Sequence, residues 1–542
     1  MVRSKWLFTC LFFLALAASA QDRYMVFFTD KEGTPYSVDA PLEFLTQRAL
    51  DRQAKEGYVL TEEDLPVNPA YVQSLREIEG VEVFFTSRWL NAVLVEMPAS
   101  LEDEVMALPF VTGQPEFVAL GNRLTYSKEP LIISETFTNP ATLTYNTNAQ
   151  VTMLGADELH ADGHTGDGIL VAVFDGGFSG VNLRAPFAAL HQENRIIGTF
   201  DYVENSGNPY QFDDHGTQVL SCIAGKYASS FIGTAPDVSV ILAVTEEVYK
   251  PNSSTPSEYR IEEYNWLFAA EMADSAGVDI INSSLGYSHS HTDPTMDYTY
   301  AQMDGQTTVV TKAANEAAAR GMLVVNSAGN DGAPANPWQY ISAPADSPEV
   351  LTVGSVTSTG AKSDFSSIGP TADGRIKPDV AAMGSLATTV DEDGNIVRSS
   401  GTSFSSPLIA GFAASLWQAF PELTRTELMD LIKSAGTLAD NPDNALGWGI
   451  PNYLIIIEDP LGVNEAFQVA IYPNPASSIL TIERNVTHEV SYRILDLKGQ
   501  SILTGTLNPS EAQLSLEQIP TGIYFLHLQS GNFSETVKLL KK

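Results

Sequence analysis

The sequence predicts an α/β fold, a parallel sheet with helices on both faces, preceded by a small α+β domain and followed by a small β-sandwich. Three observations predict it. Short apolar runs recur between residues 160 and 455 with helical stretches between them, the pattern of strands buried on both faces. Residues 21–120 mix strand-like and helical patterns. Residues beyond 460 switch to short alternating strands with turn signals, as a small sandwich does.

The apolar leader comes first. Arg3 and Lys5 precede a run from 6 to 18 interrupted only by Thr9, and Ala18-Ser19-Ala20 offers small residues for cleavage. Residues 1–20 therefore read as a secretory signal peptide, since the run is too short for a membrane anchor. It takes Cys10 with it, so Cys222 is the one cysteine left and no internal disulfide forms.

Residues 21–120 give strands at 24–28, 81–85 and 91–96, and helices at 41–55, 70–78 and 100–108, the last opened by a Ser100 cap. This is an α+β domain of about the ferredoxin-like type. Residues 121–150 are polar and rich in Thr and Asn, a linker. In 151–460, strands at 169–174, 240–244, 278–281, 322–325 and 350–353 alternate with helices near 215–225, 260–276 and 312–320. Residues 466–542 form the β-sandwich.

Net charge is −36, from 30 Lys+Arg against 66 Asp+Glu. Such a chain repels nucleic-acid phosphates and anionic lipid headgroups, so no nucleic-acid partner is expected. The acidity is concentrated before residue 460 and the tail is nearly neutral, which marks a boundary there.

Ligands of parallel sheets bind beyond the carboxyl ends of the strands, so residues that follow strands are the candidates. Asp175 ends a strand before Gly176-Gly177; alone such an Asp is more often a cap or turn residue. His215, in Asp214-His215-Gly216-Thr217, heads a helix and in isolation reads as a core or capping histidine. Ser403 lies in Gly401-Thr402-Ser403-Phe404-Ser405-Ser406-Pro407, ahead of a helix small and apolar all round. Pro407 is placed in that helix's first turn, and the helix N-terminus would favour an oxyanion. Asn330 closes Ser327-Ala328-Gly329-Asn330 after another buried strand, where it is a potential amide donor or a left-handed turn residue.

Together these segments change the weighing. The order Asp…His…Ser is that of subtilisin, and the motifs above, with Val173-Phe174-Asp175-Gly176-Gly177, Asn282-Ser283-Ser284-Leu285-Gly286 and Gly233-Thr234-Ala235-Pro236, resemble the subtilisin-like serine peptidases (subtilases) over about 150–455. Phe404 stands where Met is common. The resemblance implies a secreted serine endopeptidase with Asp175, His215 and Ser403 as catalytic triad and Asn330 at the oxyanion. Ser284, Leu285 and Gly286 would pair with the bound peptide. Ala328 and Gly329 would line the first specificity pocket, with Ser342 at an uncharged base. The competing class is a catalytically silent surface adhesin on the same scaffold.

No cofactor is implied for the chemistry. Structural calcium is common in the family, but no residues name a site. Asp391-Glu392-Asp393-Gly394-Asn395 lacks the distal glutamate of a calcium loop and reads as a hairpin turn. His289 and His291 are two histidines on a Ser-rich loop, too few to make a metal site, and Cys222 reads as buried apolar filler.

Residues 21–120 resemble the family's inhibitory propeptides in position and pattern. The C-terminal segment resembles the type A sorting domain of the type IX secretion system, through Tyr472-Pro473-Asn474-Pro475-Ala476-Ser477, Asp496-Leu497-Lys498-Gly499-Gln500, Ile519-Pro520-Thr521-Gly522-Ile523-Tyr524 and the basic end Lys538-Leu539-Leu540-Lys541-Lys542. A carbohydrate-binding module is the bland alternative for the same pattern. The expected partners are protein or peptide substrates, the chain's own propeptide and the type IX secretion machinery, with export through the periplasm of a Gram-negative bacterium to the medium or the cell surface. No metal ligand is named.

Overall fold

A two-residue alternation in the first strand decides how the N-terminal domain sits. In β1 (Asp22–Phe28), Tyr24, Val26 and Phe28 pack with Val72, Leu75, Val93 and Val95 in one core. Met25 instead joins Ala92, Leu94 and Val118 in the core of the following domain. Successive side chains leave a strand on opposite faces, so this small sheet is buried twice, under its own helices and against its neighbour.

The computed structural model describes residues 21–120, 138, 146–247, 258–289, 291–458, 469–484, 490–496, 500–508, 513–530 and 533–542. The signal peptide and most of the expected linker lie outside them. The N-terminal domain continues with α1 (Gln47–Lys55), α2 (Pro69–Arg76), β2 (Glu82–Ser87), β3 (Ala92–Met97), α3 (Glu102–Met106) and β4 (Val111–Ala119). Its antiparallel sheet has the order β2-β3-β1-β4, the ferredoxin-like arrangement.

The central domain opens with α4 (Asn148–Met153) and α5 (Ala156–Ala161), then β5 (Leu170–Asp175), α6 (Ala188–Gln192), β6 (Ile196–Asp201), α7 (His215–Ala224), the short ribbon β7 (Lys226–Tyr227) and β8 (Phe231–Ile232), and β9 (Ser239–Val244). It continues with α8 (Ile261–Ala276), β10 (Ile280–Ser283), α9 (Val309–Ala319), β11 (Leu323–Ser327), β12 (Val350–Val356) and β13 (Val380–Met383). A hairpin of β14 (Ala387–Val390) and β15 (Ile396–Ser399) leads to α10 (Thr402–Ala419), α11 (Arg425–Ser434) and α12 (Tyr453–Glu458). Seven strands form one parallel sheet in the order β13-β12-β11-β10-β5-β9-β6. Helix α8 packs on α9 and α7 on α10, one pair to each face. The α/β expectation holds.

The chain divides at Ile456 and Ile457 into two units. The second holds β16 (Val469–Tyr472), β17 (Ile479–Arg484), β18 (Val490–Leu495), β19 (Ser501–Leu507), β20 (Gln513–Ser515), β21 (Gly522–Ser530) and β22 (Phe533–Lys541). They form two sheets, β16-β17-β20 and β19-β18-β21-β22, with Leu480, Ile482, Ile494, Leu526 and Leu528 in a common core. Asp496 N–H donates to Gln500 O at 2.9 Å.

Three local expectations are corrected. The helix expected over 41–55 is broken: a 3-10 turn at Pro41–Glu43 stops short, and Thr46 restarts the chain by accepting from Ala49 N–H at 3.2 Å. Ser100 caps nothing; it sits inside a 3-10 turn, Ala99–Leu101, that runs into α3. Pro407 lies in the interior of α10 rather than its first turn.

Candidate active site

Residues at the carboxyl edge of the parallel sheet build the site. β5 delivers Asp175, fully buried, and its Oδ1 accepts from Gly176 N–H at 2.8 Å and faces His215 Nδ1 at 2.7 Å. A carboxylate can only accept, so Nδ1 carries a proton, and in the neutral ring Nε2 keeps its lone pair. Asp175 Oδ2 is buried and accepts no hydrogen bond from the described residues. The histidine opens α7, and Gly216 makes that placement possible: a Cβ there would lie 2.4 Å from Gly177 O and 2.9 Å from Asp175 Cβ. The His215 side chain is 33% exposed. Burial pulls its pKa down, but the Asp175 charge and hydrogen bond, with Asp213 and Asp214 behind them, push it up to about 9.

Ser403 is the second residue of α10 and is buried. Its hydroxyl donates to Ser284 O at 3.3 Å, and Ser284 Oγ donates back to Ser403 O at 2.9 Å. The reason for this exchange is Pro407, four residues on: without an N–H it cannot bond Ser403 O, and its ring crowds that carbonyl. Ser284 supplies the missing donor. The hydroxyl is thus turned to Ser284 rather than to His215, while the ring of the next residue, Phe404, lies 5.7 Å from the His215 ring.

Asn330 is exposed at the mouth of the site. Its Oδ1 accepts from Thr402 N–H at 2.9 Å and from Thr402 Oγ1 at 3.1 Å. A backbone N–H only donates, so the atom facing it is the oxygen and Nδ2 is left pointing away. This side chain therefore caps α10 from 72 residues upstream and presents its amide hydrogens beside the first-turn N–H groups of Ser403's helix.

The remaining candidates form one wall. Ser284, Leu285 and Gly286 follow β10, and a Cβ at Gly286 would stand 2.3 Å from Ser342 Oγ. Gly329 (φ +106°) approaches the same hydroxyl, at 3.3 Å from its would-be Cβ. Ser342 and Ala328 are buried, and Tyr287 and Ala343 exchange backbone bonds of 2.8 and 3.0 Å. The structure thus brings Ser342 against both glycines. His289 is elsewhere engaged, stacked on Trp338 at 4.9 Å, and His291 Nδ1 lies 3.3 Å from Asp297. Asp391 and Asn395 close a hairpin turn at 3.1 Å, and Cys222 is buried.

Sequence reasoning missed the Ser284–Ser403 exchange, for which Pro407 is the one signal, and a carboxylate group, Glu246, Glu258 and Glu262, beyond β9 and at the start of α8. No single motif holds those three.

The N-terminal domain docks on the far end of α8. Arg52, with 4% of its side chain exposed, pairs with Asp274 and donates to Val278 O at 2.6 Å and Arg320 O at 3.0 Å. Arg320 in turn donates to Asp64 at 2.7 Å, and Arg88 to Ser275 at 2.7 Å. Cations at a helix C-terminus meet its partial negative charge.

Comparison with known proteins gives three matches along the chain. Residues 166–449 match the Subtilase family, residues 23–129 a peptidase S8 propeptide domain of Bacteroidota, and residues 470–542 a secretion system C-terminal sorting domain. Subtilisin NAT of Bacillus subtilis subsp. natto is 29% identical over 294 residues, 54% of this chain and 66% of that protein. The subtilisin of Bacillus pumilus is 30% identical over 290 residues, 53% of this chain and 90% of that protein. The crystal structure of MycP1 from Mycobacterium smegmatis has 24% identity and a TM-score of 0.45, covering 61% of this chain and 89% of that one. The match thus spans just under two thirds of subtilisin NAT. The sorting domain marks a protein exported by type IX secretion through the periplasm of a Gram-negative bacterium, to the medium or the cell surface.

Proposed function

The chain belongs to the Subtilase family, and from that premise we propose that it is a secreted serine endopeptidase. The observation that carries the proposal is the Asp175–His215 bond of 2.7 Å at the carboxyl edge of the sheet, with Phe404 of α10, the residue after Ser403, against the His215 ring. A bound peptide lies against Ser284–Gly286 as an added strand and takes up the Ser284 carbonyl now occupied by the Ser403 hydroxyl. Released, that hydroxyl turns to His215 Nε2 and loses its proton to it as Oγ attacks the scissile carbonyl. Asp175 holds the protonated ring. The tetrahedral oxyanion is met by Ser403 N–H and Asn330 Nδ2. The leaving amine takes the proton from Nε2, and water, activated by the same nitrogen, frees the acyl group.

The first specificity pocket, lined by Ala328, Gly329 and Ser342, favours an uncharged side chain. Residues 21–120 act as the inhibitory propeptide, 151–460 as the peptidase domain and 466–542 as the segment read by the type IX machinery. The N-terminal domain's own core and its paired arginines on α8 support the first of these roles.

Hydrolysis of a denatured protein substrate by the full chain and by Ser403→Ala is the test. The wild type cleaves it and Ser403→Ala, folded by circular dichroism, does not. Equal cleavage by both overturns the proposal.

A further inference from the structure

The first specificity pocket ends at one atom. Side chains built on Gly286 and Gly329 would converge there: a Cβ on Gly286 would stand 2.3 Å from Ser342 Oγ, and one on Gly329 3.3 Å from the same oxygen. A carbon–carbon bond is about 1.5 Å long, so the hydroxyl lies within about 4 Å of the Gly286 Cα and about 5 Å of the Gly329 Cα. It spans the slot between the two walls.

The backbone holds that hydroxyl in place. Tyr287, which follows Gly286, and Ala343, which follows Ser342, exchange N–H···O bonds of 2.8 and 3.0 Å. On the other side, Ser367 N–H donates to Gly329 O at 3.0 Å, and Ile341 N–H donates to Ile368 O at 3.0 Å. Ser342 therefore sits between two residues that are tied to the two walls. Ile341, Ala343 and Ser367 are fully buried, and Ser342 is 4% exposed. Interiors packed in this way resist a shift of even one methylene, so the base does not retreat before a longer side chain. Ser367 Oγ, 2.9 Å from the position of a Cβ on Gly329, adds a second hydroxyl and no charge.

The wall sets the depth. Ser284 O lies 3.3 Å from Ser403 Oγ, so the residue whose carbonyl is attacked enters level with Ser284. From there to Gly286 an extended chain advances two residues, about 6.6 Å. A substrate carbon stops about 3.5 Å short of the atom it meets. About 3 Å is left for the side chain beyond the substrate's Cα. That admits alanine, serine, cysteine or threonine, and it stops leucine and any ring.

Resting on the peptidase reading above, we propose that Ser342 Oγ closes this pocket and confines cleavage to bonds that follow a small, uncharged side chain.

The full chain is given peptide p-nitroanilides identical except for the residue before the scissile bond, which is alanine, serine, leucine, phenylalanine or lysine. One methylene too many or too few in a pocket is worth about 10–200-fold. Alanine and serine are therefore expected to exceed the other three at least tenfold in kcat/KM. Ser342→Ala removes Oγ alone, and Ser342→Gly removes the whole side chain. The phenylalanine-to-alanine ratio of kcat/KM rises at least tenfold in Ser342→Gly, with Ser342→Ala between it and the wild type. The ratio compares two substrates on one enzyme, so a smaller folded fraction does not move it. A measurement without variants stands beside it: fragments that the wild type makes from a denatured protein, read by mass spectrometry, end in small residues. Leucine or phenylalanine cleaved as fast as alanine, a ratio unmoved in active Ser342→Gly, or fragments ending in large residues overturns the proposal and leaves the peptidase reading standing. A wild type that cleaves neither the peptides nor the denatured protein overturns both.

Discussion

Pro407 and Ser284 are expected to be energetically coupled although they lie 123 positions apart in sequence. Ser284→Ala removes the donor that satisfies Ser403 O at 2.9 Å in a buried setting. An orphaned buried carbonyl costs about 1–3 kcal/mol. Pro407→Ala restores an N–H four residues beyond Ser403, so the helix can satisfy the same carbonyl itself. The double variant should therefore lose less than the two single variants together, by about 1 kcal/mol or more. The unfolded-chain effect of replacing proline, about 0.4–1 kcal/mol, cancels in the cycle. Denaturant titration of wild type, both single variants and the double variant gives the four stabilities. Additivity within about 0.3–0.5 kcal/mol, the scatter of independent sites, would refute the reasoning and leave the proline without this role.

Other expectations follow from the same geometry. Asn330→Ala should lower kcat by roughly 10²–10³-fold with KM little changed, a magnitude taken from subtilisin's own oxyanion asparagine rather than worked from this structure; a raised KM with kcat intact would assign the side chain to substrate positioning. His215 acts as a base only when neutral, so kcat/KM should climb with pH up to about 9, and Asp175→Asn should move that limb to lower pH, since burial then acts with less opposition. The same raised pKa stabilises the fold fully below the unfolded value of 6.5, a contribution lost as pH rises through about 9. Arg52→Ala leaves Asp274 with Arg88 and Gln53 but breaks a buried pair, at a cost of about 3 kcal/mol; amide exchange across α1 and β3 in the full chain should speed up, and unchanged exchange would contradict the docking described.

The sequence carried the parallel sheet because its strands are buried on both faces and read as continuous apolar runs, as at 169–174 and 240–244. It hid the strands that break the pattern. β4 contains Gly113 and Pro115, tolerated because the strand is at an edge and pairs with β1 alone, and β6 shows a mostly half-buried pattern along its length. The start of α10 was misplaced for a related reason. Pro407 is a local signal for a first turn, whereas the cap is Asn330, reached through the fold. Similarly, Asp175, His215, Ser403 and Asn330 were legible from their motifs, but the direction of the Ser403 hydroxyl was not, because Ser284 meets it only once β10 and α10 have packed. The Glu246, Glu258 and Glu262 group has no spacing that a linear scan would single out.

The claim on which the account rests is that Ser403 is a nucleophile activated by His215. Treating the full chain with a fluorophosphonate and locating the adduct by peptide mass spectrometry tests it most directly. The account predicts one phosphonylated residue, Ser403, with labelling that accelerates as pH rises toward 9 and is lost in His215→Ala. No adduct on the folded wild type, or an adduct on another residue that persists in Ser403→Ala, would contradict it.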